Sequence, residues 1–148
     1  MIKDYTLQDL KNDCRENDLD FEKMHKIVEA WDAKHWALFF EDGGSIAIED
    51  IDLLDIDDSP VHYNGEDFLV LTDEEADNAW EDSLESYIDE VILPEIPDSY
   101  RYYFNRESWK NDARSDGRAI SISMDGDESY YNIEFDDGSS QDIYIYRV

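Results

Sequence analysis

The fold of this chain is decided by Thr72-Asp73-Glu74-Glu75-Ala76-Asp77-Asn78-Ala79-Trp80-Glu81-Asp82-Ser83-Leu84-Glu85-Ser86-Tyr87-Ile88-Asp89-Glu90-Val91. Thr72, with Glu75 three residues on, is a capping box: hydroxyl and carboxylate each take up a backbone N–H that the first helical turn leaves without a partner. Ala76, Trp80, Leu84, Tyr87, Ile88 and Val91 recur at helical intervals and form one apolar stripe. A helix is therefore expected, ending at Leu93-Pro94, because proline brings no N–H and crowds the preceding turn. Asp77, Glu81, Glu85 and Asp89 follow one another at four-residue spacing. Like charges so placed oppose the helix by roughly 0.2–0.5 kcal/mol per pair. Asp73, Glu74 and Glu75 suit the positive end of the helix dipole, whereas Asp89 and Glu90 stand at its negative end. Folding alone would favour a lysine in that row, and none occurs.

Working outward, residues 35–100 hold 21 Asp and Glu without one Lys or Arg, while the remainder carries 19 acids and all 12 bases. A formal net charge of −28 alone would suggest disorder, but 41% hydrophobic and 14% aromatic residues are enough to build a core. At 148 residues a single compact domain is expected. Cys14 is the one cysteine, so no internal disulfide forms, which fits a reducing cytoplasm. Met1-Ile2-Lys3-Asp4 opens into polar sequence and no long apolar run follows, so neither secretion nor a membrane is expected. Such acidity excludes direct contact with nucleic acid or anionic lipid as the default; a surface this negative attracts basic proteins, metal cations or, as in halophilic solvation, nothing.

The expected fold class is α+β. Residues 1–34 read as a helical part, with Thr6 capping one helix (Leu7, Leu10, Cys14) and Asp18 or Asp20 a second (Phe21, Met24, Ile27, Val28, Trp31). Residues 35–71 read as β-hairpins: 35–40 against 45–48 around Glu41-Asp42-Gly43-Gly44, and Val61-His62-Tyr63 against 67–71 around Asn64-Gly65-Glu66. Residues 49–58 look irregular. Helices fill 72–118, with Asp98 and Ser99 starting a short one, Asn105 capping 106–116, and Gly117 closing it. Residues 119–148 read as antiparallel strands at 119–124, 130–135 and 143–147.

Catalytic signatures are absent. With 40 acids, abundance cannot single out a catalytic pair. An EF-hand beginning at Asp125 would need glycine where Tyr130 stands and glutamate where Asp136 stands. His25, His35 and His62 form no zinc-type pair, and Cys14 sits at an apolar spacing. A non-enzymatic protein is expected, with no cofactor and no metal. Arg106, Lys110 and Arg114 stack at four-residue intervals, with Arg118 beyond them; compensation of the chain's own acids is the plainer reading, an acidic partner the other.

The acidic face remains. Carboxylates four residues apart on a helix lie about 6 Å apart, the few-ångström scale of phosphates along DNA. Asp73, Glu74, Asp77, Glu81, Glu85 and Asp89, with Asp52, Asp55, Asp57 and Asp58 as a second row, are thus candidate partner-binding residues that imitate a phosphate ribbon. The expected partner is a basic, DNA-binding protein with a groove of Lys and Arg; the bland alternative is a generally acidic, solvated surface. Trp80, Leu84 and Ile88 would hold the helix down, and Lys at 77, 81 and 85 should abolish inhibition with the fold intact. The alternative is an adaptor that binds a host protein through Tyr130, Tyr131, Tyr144 and Tyr146 of the C-terminal sheet.

A resemblance bears on this choice. Residues 71–77 with Ala79-Trp80, then Tyr87-Ile88-Asp89-Glu90, Leu93-Pro94-Glu95 and Pro97, then Tyr103-Phe104, Glu107, Trp109-Lys110, Asp112-Ala113-Arg114 and Asp116-Gly117-Arg118 resemble a small acidic protein family of tailed bacteriophages whose function is unsettled. The likeness covers about residues 60–148. Tyr103-Phe104, Glu107 and Asp112 are more weakly similar to the last domain of the ArdA antirestriction proteins. Those are elongated, dimeric DNA mimics that occupy type I restriction–modification enzymes. What the resemblance implies is an anti-defence inhibitor of a restriction or CRISPR-type enzyme, and a homodimer.

Overall fold

The structure, a computed structural model, describes residues 1–57 and 60–148. Helix α1 (Leu7–Glu16) starts on a Thr6/Asp9 capping box and buries Leu10 and Cys14. Helix α2 (Phe21–Glu29) starts on Asp20, whose carboxylate accepts from the Glu22 N–H, and buries Met24 and Val28.

At residue 35 the structure departs from expectation. No hairpin spans 35–48; helix α3 (Ala33–Asp42) begins on Asp32, which accepts from the N–H groups of Lys34 and His35. A 3-10 turn at Ser45–Ala47 leads into helix α4 (Ile48–Asp52). Trp36, Ala37 and Leu38 are fully buried and Phe39 nearly so. A helix covered on most sides has no apolar period to announce it, and its short apolar run reads as a strand. Gly43 permits the exit: a Cβ there would lie 2.7 Å from the Phe39 carbonyl oxygen.

The second hairpin is present. Strand β1 (Val61–Tyr63) pairs with β2 (Glu66–Thr72), and Asn64 and Gly65 between them have φ of 52° and 79°. Two successive positive φ values match the right-handed twist of the flanking strands.

Helix α5 (Asp73–Tyr87) starts on the expected Thr72/Glu75 box. Pro94 does not stop it. A π-turn over Ile88–Ile92, in which the Leu93 N–H reaches the Ile88 carbonyl, joins α5 to the short α6 (Leu93–Glu95). The widened turn shifts the hydrogen-bond register just where proline supplies no donor. The helical path ends at Ile96, extended before Pro97.

Helix α7 (Asp98–Arg101) and helix α8 (Arg106–Arg114) follow, the latter capped by Asn105 through the Ser108 N–H. Gly117, at φ 93°, turns the chain into helix α9 (Arg118–Ile122). The strand expected at 119–124 is therefore helical as far as Ile122, and Ser123 is extended. Ala119 and Ile122, three residues apart, pack with Ala79 against Leu71 and Tyr146, whereas Ile120 points outward. Strands β3 (Ser129–Glu134) and β4 (Ser140–Arg147) complete the chain.

The four strands form one antiparallel sheet in the order β1-β2-β4-β3. Alternation sorts the faces. Phe68, Val70, Ile133, Ile143 and Ile145 face the main core with Trp31, Trp36, Phe39, Ile48 and Ile51 from the N-terminal helices. Leu69, Leu71, Tyr144 and Tyr146 face α5 and α9. The result is an α+β domain with the sheet between two helical layers. Among the described residues no helix is long and apolar enough to cross a membrane.

Candidate functional site

Helix α8 runs antiparallel along the acidic row of α5. Arg106 bonds Glu85 and Asp89 at 2.6 Å each, and Lys110 bonds Glu81 and Glu85 at 2.6 Å each. Arg114 reaches Glu81 at 2.5 Å. The two helices are periodic in the same way, so each four-residue step on one meets a four-residue step on the other. Lys110 is the centre. Its side chain is only 3% exposed, and Glu107, at 2.9 Å, is its third carboxylate. Hydrogen bonds donated to Glu81, Glu85 and Glu107 push the ammonium pKa well above its ordinary value. Reciprocally, Lys110 first, then Arg114 or Arg106, holds Glu81 and Glu85 below the usual carboxylate range.

Arg118 ends the ladder. Its guanidinium bonds Asp77 at 2.8 Å, Asp73 at 3.1 Å and Glu128 at 3.1 Å, and its Nε donates to the Tyr146 hydroxyl at 2.8 Å. Burial opposes its charge, but Asp73, Tyr146, Asp77 and Glu128 outweigh burial and raise the pKa. Arg118 also lies 4.4 Å from the Tyr144 ring centroid, within cation–π range. Tyr146 is fully buried and donates to Glu128; burial and then that carboxylate raise its pKa.

The expected one-signed ridge is thus corrected. Asp73, Asp77, Glu81, Glu85 and Asp89 are brought into one row, but cations from beyond residue 100 interleave with them. The plainer reading of Arg106, Lys110, Arg114 and Arg118, compensation within the molecule, is the one observed. Seven carboxylates face four cations in the ladder. Glu74 stays exposed and, like Asp82, makes no ion pair among the described residues.

The second row is dispersed by its partners. Asp52 accepts from the Trp31 indole N–H at 3.1 Å. Asp57 pairs at 3.0 Å with Lys34, which also holds Glu75 at 2.9 Å. Lys34, one residue before the acidic stretch, was missed as a partner; although burial opposes its charge, Glu75 and Asp57 raise its pKa. Asp55 is exposed with no ion pair among the described residues. Asp58 lies outside the described residues.

Of the four sheet tyrosines, Tyr130 alone is exposed, and Tyr144 is half-buried. Tyr146 is buried, and Tyr131 stacks on Phe40 with its hydroxyl on Glu41. Tyr130 is 54% exposed, and its hydroxyl donates to Asp142. Exposed aromatic surface also lies at Tyr100, Tyr102 and Tyr103, and at Tyr87, which stacks on Trp109. No group of three His, Cys, Asp or Glu is arranged to hold a metal ion among the described residues. Set beside known proteins, the chain matches no family model, no curated protein and no solved structure.

Proposed function

We propose that the protein is a non-enzymatic, phage-type DNA mimic that occupies the cation-lined DNA groove of a host restriction–modification or CRISPR-type enzyme in the host cytoplasm. The observation that supports this reading is the excess of acid over base in a fixed array. The ladder keeps seven carboxylates against four cations, and its ion pairs hold those carboxylates in place. Asp73, Asp77 and Asp89 keep more than half of their side-chain surface in water while paired. From Asp73 to Asp89 the row runs about 24 Å at 1.5 Å per residue, or about seven phosphates of one DNA strand. Glu74, Asp82 and Asp55 add charge that no ion pair among the described residues offsets.

The reversal to Lys at 77, 81 and 85 does not test this reading, because Glu81 and Glu85 hold a buried ammonium and their loss would unseat α8. The suitable variant is Glu74→Lys/Asp82→Lys/Asp55→Lys. A labelled DNA duplex on a type I restriction enzyme or a CRISPR effector should be displaced by the natural protein and at least about tenfold less well by the variant, at equal thermal stability. Equal displacement by both counts against the reading.

A further inference from the structure

Between α5, α8 and α9 lies a groove of about 360 Å³, near the lower end of the roughly 300–1,000 Å³ of ligand-binding clefts. It is on a different face of α5 from the ladder. Leu84, Tyr87, Trp109, Ala113 and Ile120 line it, with the carboxylate-bearing Asp116 among them. Tyr87 and Trp109 stack with centroids 5.5 Å apart and planes 10° apart, so that part of the lining is stiff. Ile120 is 62% exposed and Tyr87 49%, so both offer apolar surface to a ligand. The polar groups nearby are already satisfied: Ser83 donates to the Ser121 carbonyl at 2.9 Å, and the Trp80 N–H to the Ser121 hydroxyl at 3.2 Å.

Charge says what fits. Asp116, together with Asp112 beside the lining residue Ala113, is exposed and makes no ion pair among the described residues. The cations within reach, Arg106, Lys110, Arg114 and Arg118, are all committed to the ladder. The charge at the groove is therefore uniformly negative beside an apolar lining. A second copy of the chain would set one charge of −28 against another. We propose that this groove docks the apolar face of a Lys/Arg-rich amphipathic helical segment of a partner protein. One or two large apolar side chains enter between Tyr87 and Ile120, while flanking cations meet Asp112 and Asp116. This docking site stands whether or not the ladder imitates DNA.

The probe is a fluorescein-labelled Leu/Lys amphipathic peptide of about four helical turns, titrated by anisotropy against the full chain at about 0.15 M salt. It is compared with a scrambled peptide of the same composition and with an amphipathic Leu/Ser peptide. The Leu/Lys helix should bind at least about tenfold more tightly than either. Ile120→Ser should remove that preference, and Asp116→Lys should weaken binding several-fold; both positions are exposed, so the melting temperature serves as the fold control and either variant suffices. Equal binding of the scrambled peptide means charge alone and overturns the proposal. So does equal binding of the Leu/Ser peptide (an apolar-ligand cleft), or a dimer in sedimentation equilibrium that Ile120→Ser disperses. Unchanged binding in both variants places the peptide elsewhere and overturns it too.

Discussion

Lys110 Nζ lies 2.6 Å from Glu81 Oε1, and the side chain that reaches it is 3% exposed. This contact explains how α5 tolerates a row of like charges. The repulsion between Glu81 and Glu85 is offset by one ammonium that both carboxylates share. Breaking such a set costs more than forming it gains, because the remaining charges stay close together and partly desolvated.

Lys110→Met keeps the aliphatic stem and removes the charge. The melting temperature should fall by several degrees at low ionic strength, and the gap to the natural protein should narrow in about 1 M salt, where the Debye length is about 3 Å. An unchanged melting temperature would mean that the ladder does not hold α8 against α5.

The pH dependence has a definite sign. The folded pKa of Glu81 lies below its ordinary value of 4.5, so its contribution is fully present above that value and lost as pH falls through the folded pKa. Lys110 is the mirror case: raised above 10.5, its contribution holds below that value and is lost only as pH rises through the folded pKa. The stability difference between the natural protein and Glu81→Gln should thus be flat around neutrality and shrink toward zero in acid, as the glutamate becomes neutral like the amide. Urea titrations from neutral to about pH 3 read it directly, and a difference that grew in acid would have the wrong sign.

Thr72→Ala removes the hydroxyl that accepts the Glu75 N–H at 3.2 Å. The expected cost is about 1 kcal/mol, or a fall of about 2–4 °C in melting temperature for a chain of this size. Because Glu75 also holds Lys34, Glu75→Ala should cost more than Thr72→Ala. The reverse order, measured by calorimetry, would remove Lys34 from the account.

Net repulsion at −28 opposes the compact state throughout. The melting temperature of the natural protein should therefore rise from low to high sodium chloride, since screening relieves many long-range repulsions and weakens fewer short contacts. A fall with salt would show that the ion pairs outweigh the surplus.

Local signals were legible wherever a side chain acts on its own backbone. Thr72/Glu75, Asn64-Gly65 and Asn105 each mark an element boundary that the structure keeps. Period failed where burial removed it: α3 is covered on most sides, and the strand-like run at 119–122 becomes a helix because Ala119 and Ile122 meet the sheet from above. Within the candidate site, the spacing of Arg106, Lys110 and Arg114 shows that the cations form a row. Which acids they meet depends on how α8 docks, a tertiary fact carried by no short stretch. Asp52 and Asp57 were legible as acids but not as partners of Trp31 and Lys34, which lie more than twenty residues earlier.

The central claim is that the carboxylate array binds a groove built for phosphates, and the salt dependence of that binding tests it most directly. The affinity for a type I restriction or CRISPR-type enzyme is measured between about 0.05 and 0.2 M salt, with the enzyme's own duplex alongside. A mimic predicts a steep loss of affinity with salt, parallel to that of the duplex and flattened in Glu74→Lys/Asp82→Lys/Asp55→Lys. An affinity that does not change with salt, or tight binding to the enzyme with its duplex still in place, would contradict it.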